Sequence, residues 1–319
     1  MDLMYIRQKL VRDGSLILSV DESLRSAVSE WMPSLPEESA NEHPEGPSIR
    51  VDRSATRRLI DPAAPTLVLG RVKACVDSAG GTAELAAQSG EIHARVNLKS
   101  RIAKVVVPQE VDPSPADFTS LLTITAALLL VRDARTAMHS AGVVDPQTGR
   151  AWILCGDSHS GKSTTTANLI KAGWSYLSDD YVVLSRARDE IEIEGWPDDF
   201  HIDEGWTRGE STGTRSTMRE EDLPEGRRLD SAILAGILFT RVSANEATAI
   251  DEVTPVVALE QLIRQSPWLV ADAECAGKVL KLLGDAASTH CGELRLGIDT
   301  YGDPGKLAAV ISEFASRVT

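Results

Sequence analysis

The sequence predicts an α/β fold with a mixed sheet, preceded by a smaller N-terminal α+β region, and three observations carry that prediction. Ala151-Trp-Ile-Leu-Cys155 is a short apolar run of strand type, followed at once by Gly156-Asp-Ser-His-Ser-Gly-Lys-Ser-Thr164 and a helix-length segment closed by Gly173. Strand-type and helix-type patterns then alternate toward the C-terminus, as in an α/β core with mixed pairing. Upstream, residues 66–108 hold short β-type runs separated by turn signals.

Taken in order, Met1 to Leu10 alternates charge with apolarity and lacks the apolar stretch of a signal peptide, so secretion is not expected. Met32 to Pro47 carries four prolines and four glutamates around little that is apolar, and reads as a surface loop or mobile linker. The runs Thr66 to Leu69, Ala74 to Val76, Glu91 to Val96 and Ile102 to Val107 read as a small antiparallel sheet, with Gly80-Gly81 and Ser89-Gly90 as turns. Two prolines and a serine in Asp112 to Ala116 open a long buried helix over Phe118 to Met138, with apolar residues at Leu121, Leu122, Leu128, Leu129 and Val131. Strands are then expected at Ala141 to Val144, Ala151 to Cys155, Tyr176 to Leu184, Glu190 to Glu194, Ala232 to Val242 and Glu293 to Ile298. Helices are expected at Lys162 to Ala172, Pro255 to Gln265, Ala273 to Leu283 and Gly305 to Ser316. The expected division is an N-terminal region over 1–111 and a catalytic domain over 112–319.

Composition excludes several function classes. A chain of 319 residues, 42% hydrophobic and 25% charged, is long enough for two domains and a proper core. Its net charge of −14, with no Lys/Arg-rich stripe, argues against a nucleic-acid binder. The most hydrophobic run, Leu121 to Val131, falls short of the roughly 20 residues a membrane span needs, so no membrane partner is expected. Four cysteines lie far apart without a C-x-x-C pair, which fits a reduced, cytoplasmic setting.

The stretch Gly156 to Thr164 has the spacing of a phosphate-binding loop: a glycine, four residues, then Gly161, Lys162 and Ser163. Backbone N–H groups of Asp157, Ser158, His159 and Ser160 can wrap a polyphosphate, and the following helix turns its positive end toward it. In this pattern Lys162 reaches the β/γ-phosphates and the Ser163 hydroxyl holds Mg²⁺. Seventeen residues after Lys162 come Asp179 and Asp180. One carboxylate can help hold Mg²⁺ and the other can take a proton from an attacking hydroxyl, which is what phosphoryl transfer requires; a solvated turn would carry aspartates as readily.

His139-Ser-Ala-Gly-Val-Val144, the strand-type run, the loop and Gly173-Trp-Ser-Tyr-Leu-Ser-Asp-Asp180, in this order and spacing, resemble the HPr kinase/phosphorylase group and its relatives. The resemblance is close over His139 to Pro197 and looser beyond. It implies a mixed-sheet P-loop kinase core of the HPr kinase and phosphoenolpyruvate carboxykinase type. It also implies Lys162 on phosphate, Ser163 on Mg²⁺, Asp179 as catalytic base, Asp180 at the metal or supporting the base, and His139 beside the transferred phosphoryl group. Self-association would follow by the same analogy. His159 stands where the family commonly has a small residue, and Met1 to Val111 carries no motif of the family's N-terminal domain.

The expected function is an ATP- and Mg²⁺-dependent kinase acting on a hydroxyl of a peptide, small protein or small molecule, a serine above all. The alternative is a nucleotide-responsive binding protein with little or no turnover; a GTPase is disfavoured by the missing Asn-Lys-x-Asp signature. The polar segment Thr207 to Asp230, read as strandless, holds Arg208, Arg215, Arg219, Arg227 and Arg228 and reads as a lid over ATP or as a solvated charged loop. Arg215 and Arg228 are its first candidates for a phosphate contact.

Overall fold

A computed structural model describes residues 3–11, 14–31, 46–54, 67–77, 81–196, 200–203, 215–218, 228–243 and 245–317. Two compact units emerge: residues 1–136 with 267–279, and residues 137–266 with 280–319. The linker expected over Met32 to Pro47 lies mostly outside the described residues.

The first unit is built on one eight-stranded sheet. Its elements are β1 (Leu3–Val11), β2 (Gly14–Asp21), α1 (Arg25–Trp31), β3 (Ser48–Ser54), β4 (Leu67–Leu69), β5 (Val72–Asp77), β6 (Thr82–Ala87), β7 (His93–Asn97), β8 (Ile102–Pro108) and α2 (Pro115–Leu130). Strand order is β1-β2-β3-β8-β7-β6-β5-β4. The run β4 to β8 is antiparallel as its turn signals require, but β3 pairs in parallel with both β2 and β8, so the sheet is mixed and larger than the sequence implied.

Helix α2 lies across β5 to β8 and against α1, and the indole N–H of Trp31 donates to the Thr123 hydroxyl at 2.9 Å. Pro115 occupies its first turn, where a missing N–H costs nothing. The helix is shorter than the expected Phe118 to Met138. After a 3₁₀ turn over Val131–Asp133, Ala134 takes a left-handed φ of 54°, and Thr136–Met138 emerges as a strand. The expected helix overran because Arg132 to Arg135 holds no proline or glycine to stop it, and the three-residue buried strand Thr136–Met138 is too short to show a pattern of its own. By length and composition Pro115–Asp133 could cross a membrane, but most of it is buried within the protein.

The elements that follow are β9 (Thr136–Met138), β10 (Ser140–Val144), β11 (Ala151–Cys155), α3 (Lys162–Lys171), β12 (Ser175–Ser178), β13 (Val182–Ala187), β14 (Glu190–Gly195), β15 (Phe200–Asp203), β16 (Arg215–Met218), β17 (Ser231–Val242), β18 (Ala249–Glu252), α4 (Pro255–Gln265), α5 (Ala273–Ala287), β19 (His290–Leu296) and α6 (Pro304–Ser316). Pairing runs β12-β10-β11-β17-β19-β18, while the hairpin β13/β14 joins the start of β17 through β14 and carries β9 on its far side. The β11/β17 and β17/β19 pairs are parallel and the β10/β11, β10/β12 and β18/β19 pairs antiparallel, giving the mixed α/β sheet. Trp152, Leu154, Leu238 and Leu294 on one sheet face pack with Leu169 of α3 and Leu307, Ile311 and Phe314 of α6.

The expected boundary falls after Val111, whereas the two units divide after Thr136 with residues 267–279 joining the first, so α2, buried over Leu121 to Leu130, lies with the first sheet. Two readings change here. The single strand Tyr176 to Leu184 is two strands, broken at Asp179 to Tyr181 where the Ser178 hydroxyl accepts the N–H of Asp180 and of Tyr181 at 3.4 and 3.3 Å. The segment 207–230 is not strandless, since β16 lies within it and pairs with β15; Arg208, Arg219 and Arg227 fall outside the described residues.

Candidate functional site

The site forms at one end of the second unit's core sheet, and strand register explains how. Ser140 of β10 lies opposite Cys155 of β11, and Gly142 lies opposite Ser178 of β12, both antiparallel. The start of β10 therefore meets the ends of β11 and β12. His139, the loop after Cys155 and the pair Asp179-Asp180 all emerge at this edge, the place where open α/β sheets hold ligands. The parallel strands β17 and β19 finish at the same end.

Between β11 and α3 the loop takes the path its glycines permit. A Cβ on Gly156 would lie 2.9 Å from Ser160 Cβ and 2.8 Å from Thr240 Oγ1, so only hydrogen fits. Gly161 caps α3 with a left-handed φ of 96°, and a Cβ there would lie 2.6 Å from Leu296 Cδ1. His159 also takes a left-handed φ, 66°, with its side chain exposed. The conformation that favours a small residue at this point is present, and the histidine carries it by facing solvent. Asp157 and Ser158 are exposed, and Ser163 and Thr164 are half-buried on the first turn of α3.

Lys162 is buried, and its ammonium donates to the carbonyls of Gly156 at 2.7 Å and Asp157 at 3.1 Å. The lysine thus folds back across the mouth of its own loop. Thr240, from the end of β17, donates to the Cys155 carbonyl at 3.1 Å and meets the Ser160 hydroxyl at 2.9 Å. This brace was invisible in the sequence, where Thr240 is one polar residue in an apolar run. Cys155 is no nucleophile: burial pushes its thiol up to about 12, and it is paired with the Ser140 hydroxyl at 3.2 Å.

Opposite the loop, His139 Nε2 lies 2.8 Å from Asp180 Oδ1, with both side chains partly exposed. The His139 ring stands 5.3 Å from that of Tyr181, which stands 6.2 Å from Trp196. The His139 N–H donates to the Gln265 carbonyl at the end of α4. Asp179 is buried, unlike its neighbour. The turn bearing both carboxylates is seated by Gly195, where a Cβ would come within 2.6 Å of the Leu177 carbonyl carbon. Arg228 donates to the Trp196 carbonyl at 2.7 Å, so its guanidinium is anchored beside this aromatic pair; the side chain of Arg215 is outside what is described.

Ser163 on the first turn of α3 and Asp179 and Asp180 after β12 carry oxygen donors, the type a hard divalent cation such as Mg²⁺ prefers. Among the described residues no group of three or more His, Cys, Asp or Glu side chains gathers into a metal cage. A cation here would draw most of its ligands from phosphate and water, as Mg²⁺ does in phosphoryl-transfer sites.

No protein-family model and no curated protein matches the sequence. Among solved structures the fold is similar to the HPr(Ser) kinase/phosphatase from Coxiella burnetii, at 9% identity and a TM-score of 0.33, over 57% of this chain and 98% of that one.

Proposed function

We propose that the chain is an ATP- and Mg²⁺-dependent phosphotransferase that moves the γ-phosphoryl group to a hydroxyl, a serine of a peptide or small protein above all. The observation that carries the reading is the convergence, at one sheet edge, of a phosphate-loop sequence in a strand-loop-helix setting with two carboxylates and a histidine. A loop alone binds phosphate; paired carboxylates beside it supply a proton acceptor and a metal ligand.

In this mechanism the loop N–H groups and the first turn of α3 hold the phosphates, and Lys162 exchanges its bonds to the Gly156 and Asp157 carbonyls for phosphate oxygens. Asp179 takes the proton of the acceptor hydroxyl. The hydroxyl oxygen bonds to the γ-phosphorus as the bond to the β–γ bridging oxygen breaks, and ADP leaves with the charge of that bond. Asp180, oriented by His139, and Ser163 are the residues that would hold Mg²⁺, which when bound offsets charge on the β- and γ-phosphates. The exposure of Asp180 and its contact with His139 favour a second assignment at the same site, with Asp180 as base.

The test incubates the protein with γ-labelled ATP, Mg²⁺ and serine-bearing peptides and proteins, and follows label by mass spectrometry. A phosphoserine product that disappears in Asp179→Asn, with affinity for ATP and for Mg²⁺ both kept, supports the kinase with Asp179 as base; that same result in Asp180→Asn, with Asp179→Asn still active, supports the second assignment. Nucleotide binding with no transfer to any hydroxyl, equal in wild type and both variants, would leave a nucleotide-responsive binding protein instead.

A further inference from the structure

Beside the loop, on the side away from the carboxylates, lies a cavity of about 320 Å³. Gly161 and Thr164 form its loop-side wall, continued along α3 by Thr165 and Asn168, and its apolar wall includes Val242, Leu296, Ile298 and Tyr301. Three of these apolar side chains are unusually open to solvent: Val242 is 56%, Ile298 73% and Tyr301 38% exposed. Large apolar groups exposed together around a concavity mark a ligand surface. On the β19 side the polar groups are committed within the protein, since the Thr300 hydroxyl lies 2.8 Å from that of Thr248, and the Gly297 N–H donates to Thr248 Oγ1.

Sheet order fixes a direction. Asp179-Asp180 and His139 follow or precede β12 and β10, on one side of β11, whereas Val242 and Leu296 end β17 and β19, on the other. The phosphate loop sits between the two. A nucleoside triphosphate held by the loop with its γ-end toward the carboxylates must run its other end toward β17 and β19, where the cavity shares Gly161 and Thr164 with the loop.

We infer that this cavity is the seat of the nucleoside, with Ile298 and Tyr301 clasping the planar base and the apolar wall supplying affinity. The inference rests on the reading of Gly156 to Thr164 as a phosphate site. The volume falls at the lower end of small-ligand pockets, roughly 300–1,000 Å³, and suits one nucleoside. The Tyr301 ring provides the flat face that a base stacks on.

Calorimetric binding of ATP and of inorganic tripolyphosphate, each with Mg²⁺, separates the two ends of the ligand. Ile298→Ala/Tyr301→Ala is expected to weaken ATP at least about tenfold while leaving tripolyphosphate within about twofold, and Lys162→Ala to weaken both. Ile298→Ser, at the more exposed position, serves as a second variant that leaves the fold intact, with the same pattern at smaller size. Unchanged ATP binding in the pocket variants, with both ligands lost in Lys162→Ala, would overturn the seat and leave the loop reading standing. Equal weakening of ATP and tripolyphosphate by the pocket variants would also overturn it. If Lys162→Ala altered neither ligand, the loop reading would fall and the seat with it.

Discussion

Gly195→Ala is the substitution whose cost the structure specifies most sharply. A Cβ at this position would stand 2.6 Å from the Leu177 carbonyl carbon and 3.1 Å from its Cα, whereas non-bonded carbons rest at about 3.5–4.0 Å. The obstacle is the backbone of a buried strand, so relief requires β12 and β14 to part by roughly 1 Å rather than a side chain to swing aside. Overpacking costs about 1–3 kcal/mol, and a backbone obstacle places this change near 3 kcal/mol. That lowers Tm by roughly 6–12 °C. Gly284→Ala is the matched control, since it lies inside α5 with nothing within 4 Å of an added Cβ, and should stabilise by about 0.5–1 kcal/mol. Urea unfolding followed by tryptophan emission measures both. Because Leu177 leads into Asp179 and Asp180, Gly195→Ala should also reduce transfer more than ATP binding. The reasoning is refuted if Gly195→Ala unfolds within about 0.5 kcal/mol of wild type, or if the two substitutions shift stability in the same direction.

Thr240→Val keeps the side-chain shape but removes the hydroxyl that braces Cys155 and Ser160; about 1–2 kcal/mol of stability and severalfold of ATP affinity should go, and a double-mutant cycle with Ser160→Ala should show coupling rather than additivity. His290 packs against Phe314 at 4.0 Å and Trp152 at 6.0 Å; burial holds its imidazole below the ordinary 6.5, with Glu252 opposing in part. Its folded-state pKa is depressed, so this contribution to stability is complete above pH 6.5 and is lost as pH falls through the lower folded-state value. Urea midpoints from pH 7.5 to pH 5 should decline less in His290→Gln than in wild type, and parallel declines would contradict the assignment.

How much could be read from the chain depended on whether the determining contacts were local. Ala151–Cys155 and Pro255–Gln265 were legible end to end, because a buried apolar run before glycine and a Thr-Pro helix start are local signals. The loop was legible for the same reason, and so was Gly173, whose left-handed φ of 88° closes α3. β6 was missed because Thr82–Ala87 is half alanine and carries a glutamate, a composition poor in β propensity that the neighbouring strands override. The break at Asp179 to Tyr181 was missed because Ser178 ends β12 through hydrogen bonds that apolar periodicity cannot register. The encounter of His139 with Asp180 depends on β10 pairing with both β11 and β12, a non-local register absent from either segment. The cavity beyond Gly161 draws on β17, β19 and the turn after β19, more than seventy residues from the loop at its nearest such member.

A crystal structure with Mg²⁺ and a non-hydrolysable ATP analogue tests the central claim most directly. The account predicts the β- and γ-phosphates within Gly156 to Thr164, Lys162 Nζ moved from the Gly156 and Asp157 carbonyls onto phosphate oxygens, and the γ-end facing Asp179, Asp180 and His139. An analogue bound elsewhere, or one in the loop with Lys162 still on those carbonyls and its γ-end turned from the carboxylates, would contradict it.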